Sequence, residues 1–324
     1  MTSLDEDILP PALKSRLADA DAGVRRVALI ELADEQDETL LPWLIAALSD
    51  ADAEVRAEAA QRLAGWETEA AVSGLVHALR DGAEPVRQAA AQSLSELKNP
   101  EAGAWLLAAA DDGDAFVRAA GLRALRELRV AAAAGPAIGS LSHAHAAVRR
   151  EAIGVLGWLK HREALPALAD LATRDADAEV RRAATGALGL TEAGGEEGRR
   201  IAQPALLAAL RDAAWPVREE AASTLGKLRL AEAAPALIAA LDDDYWQVRL
   251  RAARALGQLR ARAAVGALGL ALAHEISNLR KEAAIALGEI GDVLARPLLE
   301  VAESDVDPEV RKLARLAKAR LGAV

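Results

Sequence analysis

Along the chain, apolar residues keep a helical spacing for about a dozen positions, break at an acidic turn, and then start again. A Val-Arg pair marks each restart: Val24-Arg25, Val55-Arg56, Val86-Arg87, Val117-Arg118, Val148-Arg149, Val180-Arg181, Val217-Arg218, Val248-Arg249 and Val310-Arg311, with Leu279-Arg280 completing the series. Successive pairs lie 31, 31, 31, 31, 32, 37, 31, 31 and 31 residues apart. Self-similarity at such a period signals a stacked repeat whose single unit cannot bury its own apolar face.

Each copy predicts two amphipathic helices. Upstream of the Val, Leu stands eleven and seven residues back, as Leu44 and Leu48 or Leu237 and Leu241, on one helical face. Downstream, apolar residues follow at four, eight and eleven positions, as Ala252, Leu256 and Leu259. The intervening turn carries Asp five before the Val in eight copies, from Asp19 to Asp305. A second Asp often stands three before it (Asp21, Asp52, Asp114, Asp177, Asp307), placed to cap the next helix at about 1 kcal/mol each. In "DPEVR" a Pro follows that cap at the first helical position.

Composition narrows the picture. With one Phe, one Tyr and one Met, the core must be built from Ala, Leu and Val, which favours closely packed helices. The absence of Cys excludes disulfides and thiolate chemistry. A net charge of −10 argues against nucleic acid as a partner. The acidic start "MTSLDEDILPP" has no secretion-signal pattern and no uncharged run reaches membrane-spanning length, so the expectation is a cytoplasmic protein with no membrane association.

The pattern D-x-D-x-x-V-R-x-x-A-x-x-A-L-G-x-L resembles the short HEAT-like repeat of the phycobilisome lyase type, over essentially the whole chain. Together with the periodicity it implies an all-α, armadillo-type fold: a right-handed α-α superhelix, or solenoid, of about ten 31-residue helical hairpins. The resemblance also implies that the repeated Arg bridges to an Asp in the turn of an adjacent unit, forming a ladder. One solenoid is expected over 1–324, with repeats 1–6 at about 8–190, an insertion at 191–200 and repeats 7–10 at about 201–324. The insertion, "TEAGGEEGRR", reads as an exposed loop with a change of direction at Gly194 and Gly195. In the tenth copy Lys318 replaces the usual Leu, and Lys312, Arg315 and Arg320 surround it, as a solvent-facing cap requires.

Candidate chemistry is sparse. His143 and His274 occupy the turn position that is Asp elsewhere, and His77 and His161 read as ordinary surface or packing residues. His143 and His145 lack a third metal ligand on their turn. His274-Glu275 is the only His-Glu pair, too few for the di-iron site of the deoxyhypusine hydroxylases that use similar repeats. No catalytic residue, cofactor or metal is therefore assigned, and the chain is read as a non-enzyme. The resemblance carries one alternative, a bilin lyase-like or other cofactor-attachment and maturation factor.

Positions −2, −1, +2, +6, +9 and +10 relative to the Val point away from the buried side of the second helix. In a solenoid these line the concave surface. They gather rings in an aromatic-poor chain, namely Phe116, Trp158, Trp215 and Trp246, with Tyr245 beside the last. Interleaved are Arg123, Arg150, Arg182, Arg251, Arg254 and Lys281. Trp and Arg are enriched at interface hot spots, so the expectation is a non-catalytic scaffold or adaptor that binds a protein partner there. The competing reading packs these rings over neighbouring turns, and a purely structural assembly subunit is a third. Trp66, at +11, is expected in the core, and Trp43 and Trp105 in the outer layer. The oligomeric state is left open.

Overall fold

The computed structural model describes residues 9–35, 37–190 and 195–321. They form helices paired as hairpins, and the fold belongs to the α-α superhelix class. The chain divides into two compact units, 1–159 and 160–324. The first contains α1 (Pro11–Leu17), α2 (Ala22–Asp34), α3 (Leu41–Ala47), α4 (Ala53–Arg62), α5 (Glu69–Ala78), α6 (Glu84–Ser95), α7 (Gly103–Ala110), α8 (Ala115–Leu128), α9 (Ala134–Ser140) and α10 (Ala146–Trp158). The second contains α11 (Leu165–Arg174), α12 (Ala178–Leu190), α13 (Gly195–Ala209), α14 (Trp215–Lys227), α15 (Ala234–Ala239), α16 (Trp246–Gln258), α17 (Val265–Ala271), α18 (Ser277–Ile290), α19 (Arg296–Ala302) and α20 (Pro308–Arg320). Among the described residues no helix is long and apolar enough to cross a membrane.

Even-numbered helices are the second helices of the hairpins, and within each unit they stack on one another. Their inner faces are fully buried: in α16 these are Val248, Ala252 and Leu256, at 0, +4 and +8. Small residues set the spacing. A Cβ at Gly226, Gly257 or Gly288 would come within 2.9 Å of the Cα of Ala255, Ala286 or Ala317 on the next second helix. Position +9 is therefore a helix-helix contact, not part of an open face.

The turns are built around the residue five before the Val. In all ten, its side chain accepts a hydrogen bond from the backbone N–H two residues on, at 2.8–3.1 Å. Where that residue is Asp, its carboxylate can also receive the Arg of the preceding repeat. Arg218 donates from Nε and Nη2 to Asp243 at 2.7 and 2.9 Å, while its Nη1 donates to the carbonyls of Asp212 and Ala213 in its own turn. One guanidinium thus ties two successive turns. Arg25–Asp50, Arg56–Asp81, Arg181–Asp212 and Arg280–Asp305 repeat this fork. At Asp112 the cation is Arg80 instead.

Two rungs lack the carboxylate. Opposite Arg118 and Arg249 stand His143 and His274, whose Nδ1 accepts the turn N–H at 3.1 Å as the Asp oxygen does elsewhere. Burial, followed by the nearby Arg118, holds His143 below the ordinary imidazole pKa and so favours the neutral ring that can accept. Arg118 folds back onto the carbonyls of Asp112 and Asp111, and Arg249 onto that of Asp243.

Two expectations are corrected. Residues 191–194 of the insertion, with Gly194, lie outside the described residues, but 195–200 are not a loop: they open α13. That helix runs fifteen residues and carries Pro204 in its interior, at the register where other first helices begin with Pro at their first or second position. The added length extends the first helix backwards, with Gly195 at φ +65°. Trp66 is half-buried rather than core. Gly65, at φ +84°, takes the chain out of α4 before +11 is reached, so that the buried face of this helix ends with Leu63 at +8.

Arg218→Met should lower stability by about 2 kcal/mol in chemical denaturation, because it leaves a largely buried Asp243 unpaired. His143→Asp should raise it by about 1 kcal/mol by giving Arg118 its carboxylate.

The ladder also fixes an acid limit. Arg25 and Arg56 hydrogen bonds depress the pKa of Asp50 and Asp81; at Asp243 burial pushes it up, but the Arg218 fork, the Tyr245 N–H and the charges of Arg218 and Arg249 together bring it down. Lys281 and the Glu309 N–H bring Asp307 from 3.8 to about 2. Carboxylates depressed on folding contribute stability above their unfolded pKa and lose it as pH falls through the folded one. Unfolding free energy from urea titrations should therefore be flat above about pH 5 and fall between about pH 4 and 2.

Candidate functional site

The predicted residues fall in both units. In the first, Arg123 and Arg126 converge on Glu151, a buried carboxylate on the next second helix, at 3.1 and 2.8 Å. Trp158 is half-exposed with the Arg129 guanidinium 4.7 Å from its ring centroid. Phe116 is half-buried, 6.0 Å from Arg87, and Arg150 is exposed.

In the second unit, four of the seven come together. Trp246, Arg251 and Arg254 on α16 and Lys281 on α18 line an open groove of about 400 Å³ on the layer of second helices. Glu219 of α14, Gln247 and Leu250 of α16, Asn278, Glu282 and Ile285 of α18 and Leu313 of α20 complete its lining. These are positions −2, −1, +2, +3 and +6, the predicted outward set with +3 added and without +9 and +10.

Its charges are internally matched. Arg254 meets Glu282 through two hydrogen bonds of 2.9 and 2.7 Å, Arg251 meets Glu219 at 3.0 Å, and Lys281 meets Asp307 at 2.9 Å. Arg254 is further stabilised as a cation by its bond to Glu282. Such pairs span neighbouring second helices, so these cations first fix the spacing of the face and only secondarily present charge. Between them lie Trp246, Leu250, Ile285 and Leu313. Gln247 places a buried Oε1 there without a hydrogen-bond partner among the described residues.

Trp215 and Tyr245 lie elsewhere. Their rings stack at 5.4 Å and 17° across two successive turns, and the ladder residue Arg218 sits 5.7 Å from the Tyr245 ring centroid. They brace the turn edge, as the packing alternative expects. Arg182 pairs with Glu179 on its own helix. The buried glutamates at +3, Glu151 and Glu282, were missed by sequence reasoning; the signal was available as an Arg at +6 with a Glu 28 residues later.

The sequence profile of HEAT repeats matches residues 10–95, 41–126, 103–189, 190–249 and 234–318, nearly the whole chain. The chain belongs to the HEAT-repeat family. No curated protein matches it. Among solved structures, the HEAT array is similar to an engineered protein with TM-score 0.56 and 23% identity, covering 96% of this chain and 98% of that one. It is similar to importin beta with TM-score 0.62 and 16% identity, covering 95% of this chain and half of importin beta. A chain of the Kap95:Nup1 complex gives TM-score 0.63 at 14% identity, with 95% and 50% covered. At these identities the likeness is one of fold.

If the Arg254–Glu282 pair sets the face, Glu282→Ala should leave Arg254 unpaired and lower the thermal midpoint, while Glu282→Gln should lower it less; differential scanning fluorimetry on both variants reads the difference.

Proposed function

We propose that this HEAT-repeat protein is a non-catalytic scaffold or adaptor that holds a protein partner on the face of its second helices, the surface that curves inward in repeat solenoids. The observation that carries the reading is the groove of the second unit. It joins one Trp and three aliphatic side chains within a rim of already neutralised charges. That combination suits desolvation by another polypeptide: the apolar floor supplies area, and no lone cation has to be stripped of water. The importin-type neighbours lend support at the level of fold, one of them solved as the Kap95:Nup1 complex. Phe116, Arg123, Arg150 and Trp158 are proposed as a further contact region on the first unit.

The repeat signature shared with phycobilisome lyases supports a second reading, handling of a linear tetrapyrrole. A shift in the visible spectrum of phycocyanobilin on mixing is its expected outcome, and an unchanged spectrum rejects it.

The main test is affinity purification from the native cell followed by mass spectrometry. A Trp246→Ala, Ile285→Ala double variant with unchanged circular dichroism should lose at least tenfold of the captured partner. Undiminished capture by that variant removes the groove from the proposal.

A further inference from the structure

The second unit carries an apolar surface on its other layer that the groove does not use. Leu270 on α17, Val293 and Leu294 just before α19, Val301 on α19 and Val306 after it are 60–88% exposed, against 44–52% for the remaining exposed large apolar side chains among the described residues. Single exposed apolar residues need no explanation, whereas a cluster marks a contact surface. Two of these residues, Val301 and Val306, line an open groove of about 620 Å³ beside α17 and α19, together with Leu272 and Leu298 and, at the turn edge, His274, Glu275, Arg280 and Asp305.

The charge on α19 says what fits it. Arg296 and Glu300 are both exposed and stand four residues apart, so they share one flank of the helix. Arg296 makes no ion pair among the described residues, and the nearest cation to Glu300 is Lys318 at 3.9 Å. In an antiparallel contact between two copies related by a two-fold axis, each flank meets its own copy. With the axis at Leu298, Arg296 of one copy lies opposite Glu300 of the other, twice, while Val301 and its neighbours are covered. A positive end and a negative end on one flank, beside an apolar strip, make this face complementary to itself.

We propose that the outer face of α17 and α19 is a self-association surface whose occupant is a second copy of this chain, paired antiparallel through α19. The surface lies on the first-helix layer, so pairing leaves the second-helix groove open and does not depend on the proposed scaffold function.

Sedimentation velocity of the full chain over a range of micromolar concentrations tests it, with circular dichroism confirming that each variant is folded. The expected result is a concentration-dependent dimer. Val301→Glu should abolish it by placing a charge in the apolar strip, and Arg296→Glu should weaken it at least tenfold by setting like charges opposite each other. The double variant Arg296→Glu, Glu300→Arg should restore it. A wild-type chain that stays monomeric throughout overturns the proposal, as does a dimer indifferent to both single variants. Failure of the charge-swapped double variant to recover overturns the antiparallel pairing.

Discussion

The guanidinium that reaches from one turn to the next is the interaction on which the rest of the architecture leans. A lone helical hairpin of this length cannot hide its apolar side, so each must be held in register against its neighbour. Leu and Ala contacts supply the free energy of burial but tolerate sliding. The Arg fork does not, because its Nε and Nη2 must meet both oxygens of one Asp while Nη1 stays on two carbonyls of its own turn. Planarity makes Arg suitable where Lys is not.

A second set of charges builds on that register. Once successive second helices are fixed and drawn close by glycines such as Gly257, an Arg at +6 reaches a buried Glu at +3 of the next repeat. The groove of the second unit is the space left between these pairs, and its apolar floor is exposed because the polar residues around it are already engaged with one another. A related arrangement occurs at Trp215 and Tyr245, which stack on each other at the turn edge beside the fork.

What could be read in the sequence follows from this hierarchy. The Val-Arg period, the turn Asp five before the Val and the buried positions 0, +4 and +8 repeat in nearly every copy, so the fold class was legible, and the resemblance those residues carry implied the ladder. Features that depend on how one helix meets another were not. The +9 glycines look like outward positions on a single helical wheel and are buried only by the neighbour. Trp66 matches the apolar pattern, yet Gly65 ends the helix first. The glycines and charges around 195–200 resemble a loop, but a helix already begun at Pro204's register continues backwards through them. Of the candidate site, the outward face of α16 and α18 was legible; the engagement of Arg251, Arg254 and Lys281 by carboxylates on other helices was not.

The two histidines in the ladder have a mechanical consequence. A pull along either stack is borne by the forks in series, each a directional clamp that resists slipping until both hydrogen bonds part. Between Arg118 and His143, and between Arg249 and His274, that clamp is missing, and the ion pairs of Arg123 and Arg126 with Glu151 and of Arg254 with Glu282 cross the same two joints on the helix face instead. Under tension these two joints are held from the helix face rather than from the turn, so that each unit contains one coil whose turn edge is free to open while its second helices stay clasped.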